Sequence, residues 1–261
     1  MSSGFSIAAR SVTGLVRSGN EDSALLHSHL LAVADGMGGH VGGEIASSLA
    51  IEVIGRLAPL VASIDADSIE DLLLNSLDSV NEEIARVVEE DSDLAGMGTT
   101  LTALAMYSVK QKDYVAVLHV GDSRCYRLRG ATLTQLSHDH TVLQELLDQG
   151  KVSAEEAHDH PQKSFLTQAL MGEDKNTPML TVFEVKENDR FLLCSDGLCG
   201  VVSEKIIKEG LKATDKNEAL NFLIDSAFSH GAPDNVTVIV ADIGAEVDEG
   251  PAIYLGAVLH E

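Results

Sequence analysis

The chain of 261 residues predicts a single α+β domain. Short apolar runs bounded by turn residues have strand length, longer stretches between them have helical period, and no composition break, internal repeat or low-complexity linker divides the chain. The runs at 30–34, 101–106, 114–120, 190–194 and 236–241 read as buried strands. Between the first two, Ile45, Leu49, Val53, Leu57 and Leu60 share one helical face. Ile69, Leu73, Leu77, Val80, Ile84 and Val87 share another, with Ser68 and Asp71 spaced as a capping box. Val142, Leu143, Leu146 and Leu147 give a third helix that stops at Gly150. The polar stretch KVSAEEAHDHPQKS then reads as a mobile insertion placed as a lid. Leu220, Phe222, Leu223, Ile224 and Phe228 give a helix ending before His230 and Gly231. The domain is expected over 1–245, with 246–261 a C-terminal tail of no assigned structure.

Charge narrows the partners. Lysine and arginine number 18 against 41 acids, a formal charge of -23, so the surface repels phosphate backbones and anionic headgroups. Nucleic acid and membrane partners are therefore not expected. Cys125, Cys194 and Cys199 lack the paired spacing of a zinc site or disulfide framework, which fits a reducing compartment. With no signal-like N-terminus and no apolar run of about 20 residues, a cytoplasmic protein is expected.

The chemistry gathers at aspartates. LLAVAD, AVLHVGD and FLLCSD end in Asp35, Asp122 and Asp196, and Asp234 opens the strand NVTVIVAD. Carboxylates at strand ends, beside Gly36, Gly121 and Gly197, are rigidly held where a ligand can approach the backbone. Singly, each is an ordinary turn or cap residue; as a set they suit a hard cation such as Mg2+ or Mn2+, which prefers oxygen ligands.

Seven blocks occur in order: VRSGNED (16–22), VADGMGGHVGGE (33–44), GMGTT (96–100), HVGDSRCYRLR (119–129), HDHT (138–141), CSDGL (194–198) and PDNVTV (233–238). Together they resemble the protein phosphatase 2C family of metal-dependent serine/threonine phosphatases, bacterial branch. The resemblance implies a four-layer α/β/β/α sandwich, two antiparallel sheets flanked by helices, with a small flap at about 138–172. It implies two core Mg2+ or Mn2+ ions and a third. Asp35 would bridge the core pair, the Gly36 carbonyl would ligate one ion, Asp196 and Asp234 would complete one shell, and Glu21 would support the other, partly through water. Asp122, with Asp196, would hold the third ion, and Arg17 would grip the substrate phosphate.

The implied reaction is hydrolysis of phosphoserine and phosphothreonine in proteins by attack of a water bridging two ions. Two ions about 4 Å apart both neutralise the phosphoryl group and acidify that water. Arg17 offers a planar fork that stays charged; a surface salt bridge with Glu21 is the alternative. Family members from animals carry histidine where this chain has Met37, which leaves His40 or a water as proton donor. Val12 and Thr13 replace an acidic residue expected just before Gly14. In the flap, HPQKSFLTQAL puts Lys163 and Gln168 where the family has arginines. Gly98, Thr99 and Thr100 form a structural support near the ions rather than a phosphate cradle. Implied partners are phosphorylated proteins and a cognate Ser/Thr kinase, and the absence of heptads favours a monomer. A silent phosphoprotein-binding relative is the competing class, disfavoured because all three core aspartates are present.

Overall fold

The structure is a computed structural model and describes residues 3–38, 42–61, 63, 66–157, 160–173, 176–244 and 250–259. In chain order its first half comprises β1 (Gly4–Val12), β2 (Asp22–His27), β3 (Leu30–Met37), α1 (Gly43–Gly55), α2 (Ala58–Val61), α3 (Ala66–Glu90), β4 (Gly98–Thr99), β5 (Leu101–Val109), β6 (Lys112–Val120), β7 (Arg124–Arg129) and β8 (Thr132–Gln135). The rest comprises α4 (Val142–Asp148), α5 (Ala154–Ala157), β9 (Met179–Glu184), β10 (Arg190–Cys194), α6 (Asp196–Cys199), α7 (Glu204–Leu211), α8 (Lys216–Ser229), β11 (Val236–Gly244) and β12 (Ile253–Gly256).

Two antiparallel sheets carry the fold. One runs β1-β11-β10-β7-β8 and the other β12-β2-β3-β5-β6-β9, with β4 on the end of β3. The uniformly apolar strands bury both faces, so their residues divide by period two between different cores. Leu31 and Val33 of β3 meet Phe191 and Leu193 of β10 and Ile239 of β11 between the sheets. Leu30, Ala32 and Ala34 face α1 and α3, while Leu192, Cys194, Val236, Val238 and Val240 face α6, α7 and α8. Each fully buried Leu, Ile or Val contributes roughly 1.5–3 kcal/mol, which makes this division strongly register-specific. The layers are thus helix, sheet, sheet, helix, as expected.

Two local expectations, the face of α1 and the cap of α3, are corrected. Val53 is buried on α1 as expected, but the rest of its buried face is Ala46, Ala50, Ile51 and Ile54, with Ile45, Leu49 and Leu57 only partly buried and Leu60 exposed. The helix stops at Gly55, where an added Cβ would lie 2.4 Å from the Tyr254 hydroxyl. Pro59 lies in the first turn of the separate α2, where its missing N–H is no loss. Ser68 does not cap α3, which already begins at Ala66. The tail, which the sequence leaves without an assignment, carries β12, paired antiparallel with β2, Ile253 opposite Leu26 and Gly256 opposite Ser23. Thr141 caps α4 by accepting from the Gln144 amide, and Gly150 ends that segment at φ +64°.

Candidate metal centre

The core carboxylates meet where both sheets end. β3 and β2 place Asp35 opposite Asp22. Asp35 is not at a turn: β3 continues because Gly36 and Met37 pair with Thr99 and Gly98. The Asp35 backbone is bracketed by this pairing. Its N–H donates to Thr100 Oγ1 at 3.0 Å, and its carbonyl accepts from the Thr100 N–H at 2.9 Å and Thr99 Oγ1 at 3.0 Å. The Gly98–Thr100 block is therefore a backbone support, as read from the sequence.

Asp196 starts α6 directly after β10, and Asp234 lies just before β11, whose neighbour in the sheet is β10. The crossing here is close. A Cβ on Gly197 would lie 1.8 Å from the Asn235 carbonyl oxygen, and one on Gly14 would lie 1.9 Å from that of Asp234. Asn235 stitches the arrangement together: its Oδ1 accepts from the Glu21 N–H at 2.9 Å and its Nδ2 donates to the Gly19 carbonyl at 2.8 Å. The Glu21 carbonyl in turn accepts from the Gly36 N–H at 3.2 Å and from Ser47 Oγ at 2.6 Å.

One cleft of about 660 Å³ is lined by Arg17, Glu21, Asp35, Gly36, Asp122, Asp196 and Asp234, together with Thr100 and the flap residues Ser164, Phe165 and Leu166. Seven of the eight residues named from the sequence as site residues thus share one cavity. The eighth, His40, lies outside the described residues.

The acidic charge in this cleft is only partly compensated. Burial, and then repulsion from Asp22, Asp196, Asp122 and Asp234, hold the Asp35 carboxyl well above its ordinary range. Burial and the Asp196 charge push Asp122 up to about 8, and burial with Asp234 pushes Asp196 up to about 6. Arg17 answers part of this charge, donating to Asp234 at 2.7 Å with Glu21 at 3.6 Å. Both partners of the shorter pair are partly exposed, so it contributes little to stability.

Among the described residues, no group of three His, Cys, Asp or Glu side chains is arranged to hold an ion as it stands. Arg17 occupies Asp234, and burial with neighbouring carboxylates holds Asp35 and Asp196 above their ordinary range. The donor set nevertheless fits a hard divalent cation: five carboxylates line the cleft against one guanidinium, and Asp35, Asp122 and Asp196 are desolvated by burial with no ion pair of their own among the described residues.

Sequence reading missed the layer beneath. Asp22 is fully buried below Asp35 and accepts from Ser195 Oγ and Thr237 Oγ1, both at 2.7 Å; burial lifts it to about 7. Asp139 of the HDHT block is buried too, held by Arg124. The only available signal was their membership of the motif blocks.

The family profile described as "Protein phosphatase 2C" matches residues 20–236. The chain belongs to the protein phosphatase 2C family. Within that family it is 45% identical over 257 residues to the serine/threonine protein phosphatase PstP of Mycobacterium tuberculosis, covering 96% of this chain and 48% of PstP. The chain thus spans about half the length of the first curated relatives it matches. The serine/threonine phosphatase stp of Listeria monocytogenes is 37% identical over 240 residues, 89% of this chain and 94% of the relative. The crystal structure of the PstP catalytic domain in complex with 2 manganese ions superposes with a TM-score of 0.83 at 42% identity, covering 93% of this chain and 99% of that one. Family membership and the sandwich fold thus agree with the sequence reading, and no described helix is long and apolar enough to cross a membrane.

Proposed function

We propose that this chain is a metal-dependent protein phosphatase that hydrolyses phosphoserine and phosphothreonine in proteins. The observation that carries the reading is the convergence of five carboxylates and Arg17 in one cleft of about 660 Å³. Asp35, Asp196, Asp234, Glu21 and the Gly36 carbonyl would hold two Mg2+ or Mn2+ ions, and Asp122 with Asp196 a third. Ions held by these residues would supply charge neutralisation of the phosphoryl group and activation of a water nucleophile.

The chain's own residues supply the rest. Asp22, locked by Ser195 and Thr237, places a buried carboxyl group beneath Asp35. Arg17 exchanges Asp234 for two phosphate oxygens, a fork-to-anion match that also releases Asp234 as a ligand. The leaving serine or threonine oxygen takes its proton from His40 or from water, and a His40→Ala variant distinguishes the two. Phe165 and Leu166 of the flap line the same cleft and would bound the space open to a substrate side chain. The protein acts in the cytoplasm as a monomer, reversing the work of a Ser/Thr kinase.

The test is hydrolysis of a phosphothreonine peptide and an aryl phosphate, with Mn2+ or with chelator, by the wild-type protein and Asp35→Ala. Turnover that chelation and the substitution both abolish supports the reading. Turnover that survives chelation, or none under any condition, refutes it.

A further inference from the structure

Asp122 sits in the three-residue loop between β6 and β7. Its placement therefore depends on what holds the loop. Residues on both sides of it are gripped by two consecutive residues at the root of the flap. On one side, the His140 N–H donates to the Gly121 carbonyl at 2.7 Å, and the Gly121 N–H donates to His140 Nδ1 at 3.1 Å. Gly121 has φ +107°, a conformation only glycine adopts without strain, so this corner needs external support. On the other side, Arg124 donates through Nε and NH2 to the Asp139 carboxylate at 2.6–3.0 Å. Asp139 is 7% exposed, and Gln135 Nε2 adds a bond at 2.9 Å.

The same root joins both legs of the flap. The His140 carbonyl accepts from the Thr167 N–H at 2.8 Å, and Thr141 bridges to Leu166, the residue that lines the candidate metal cleft. Behind His140, the His119 ring lies 5.1 Å away, centroid to centroid, and its Nδ1 bonds Thr102 Oγ1, which donates to the Ser123 carbonyl at 2.8 Å. A second cavity of about 560 Å³ opens between α4 and α7, and it shares Asp122, Ser164 and Asp196 with the metal cleft while Arg124 and Asp139 form its wall. A flap displacement that widened this cavity would pull on Gly121 and Arg124 together.

We propose that Asp139 and His140 are positioning residues, a two-point clamp that sets Asp122 in the cleft and makes the flap's placement and the loop's placement one variable. The proposal rests on the phosphatase reading for its effect on turnover but not for its effect on the loop. Because His140 Nδ1 accepts from an amide, its proton is on Nε2. An asparagine carbonyl can take the Nδ1 place, whereas a glutamine carbonyl reaches toward the Nε2 place and leaves Gly121 without its acceptor.

The experiment compares the wild-type chain with His140→Asn, His140→Gln and Asp139→Asn. The first readout is amide hydrogen exchange at Gly121 and Thr167 in metal-free protein; the second is phosphothreonine-peptide turnover across a Mn2+ titration. In His140→Gln the Gly121 amide exchanges about fivefold faster, the loss of one ordinary hydrogen bond. Its half-saturating Mn2+ concentration rises, or its kcat falls, about tenfold, the usual cost of losing a residue that orients a ligand, with KM for peptide little changed. His140→Asn restores both readouts to near wild type, and Asp139→Asn shows the same pattern as His140→Gln in turnover. Wild-type exchange at Gly121 in His140→Gln, or equal losses in the Asn and Gln variants, overturns the clamp. Wild-type protein without metal-dependent turnover refutes the phosphatase reading instead, and the exchange data still decide whether the clamp exists.

Discussion

Thr100→Val removes one hydroxyl and keeps the shape of the side chain. That hydroxyl accepts the Asp35 N–H at 3.0 Å and bonds Ser123 Oγ at 2.7 Å, in a site where Thr100 is 2% exposed and Ser123 fully buried. Without it, the Asp35 amide is left without an acceptor, at a cost of about 1–3 kcal/mol, and the Ser123 hydroxyl loses a partner for about 1 kcal/mol more. The expected destabilisation is therefore roughly 2–4 kcal/mol. Thr100→Ser keeps the hydroxyl and loses one methyl, about 1 kcal/mol. Urea unfolding of the metal-free protein gives both numbers from midpoint shifts at constant slope. Because the same bond orients Asp35, the valine variant also loses Mn2+-dependent turnover that the serine variant keeps. A valine variant within 0.5 kcal/mol of wild type, or less affected than the serine variant, would refute the claim that Gly98–Thr100 serves as the backbone support of Asp35.

His119 is buried with its Nε2 unpartnered among the described residues, and burial pushes it down to about 3. The unfolded chain binds a proton near pH 6.5 and the folded chain does not, so its contribution is intact above about pH 6.5 and is lost as pH falls toward 3. Between pH 7.5 and 5 the wild type should lose about 2 kcal/mol more than His119→Gln by urea unfolding; parallel losses would contradict this. Gly14→Ala should displace the Asp234 carbonyl, which an added Cβ would meet at 1.9 Å, and lower turnover more than stability; comparing activity with the melting temperature checks it. Arg17→Lys keeps charge but not the fork, so peptide KM should rise about tenfold or kcat fall by as much, with metal-free stability unchanged because Arg17 is exposed.

How much was legible follows from where each signal resides. Strands whose two faces are both buried, such as β3, β10 and β11, announce themselves as apolar runs. β7 was not read as a strand because Arg124, Arg127 and Arg129 interrupt it, and only the fold shows that they pair with Asp139, stack over Phe183 and pair with Asp189. β1 was hidden for a similar reason, with Phe5 and Ala8 buried among partly exposed neighbours. The face of α1 is only partly legible: Val53 is buried as its spacing predicts, but Ala46, Ala50, Ile51 and Ile54 are buried in preference to Ile45 and Leu49. At the site, the carboxylates beside glycines stood out locally. Asp22 did not, because its role depends on register with Asp35 and on hydroxyls 173 and 215 residues away. The tie between Asp139 and Arg124 was equally invisible, since spacing alone does not say that both will be buried.

The central claim is that the Asp35, Asp196 and Asp234 cleft is a metal centre. Anomalous diffraction at the manganese edge from crystals grown with Mn2+ tests it most directly. The account predicts two strong peaks flanking Asp35, one of them within bonding distance of Asp196 and Asp234, with Arg17 moved off Asp234. Peaks confined to the surface, or an empty cleft with the Arg17–Asp234 pair intact at saturating Mn2+, would contradict it.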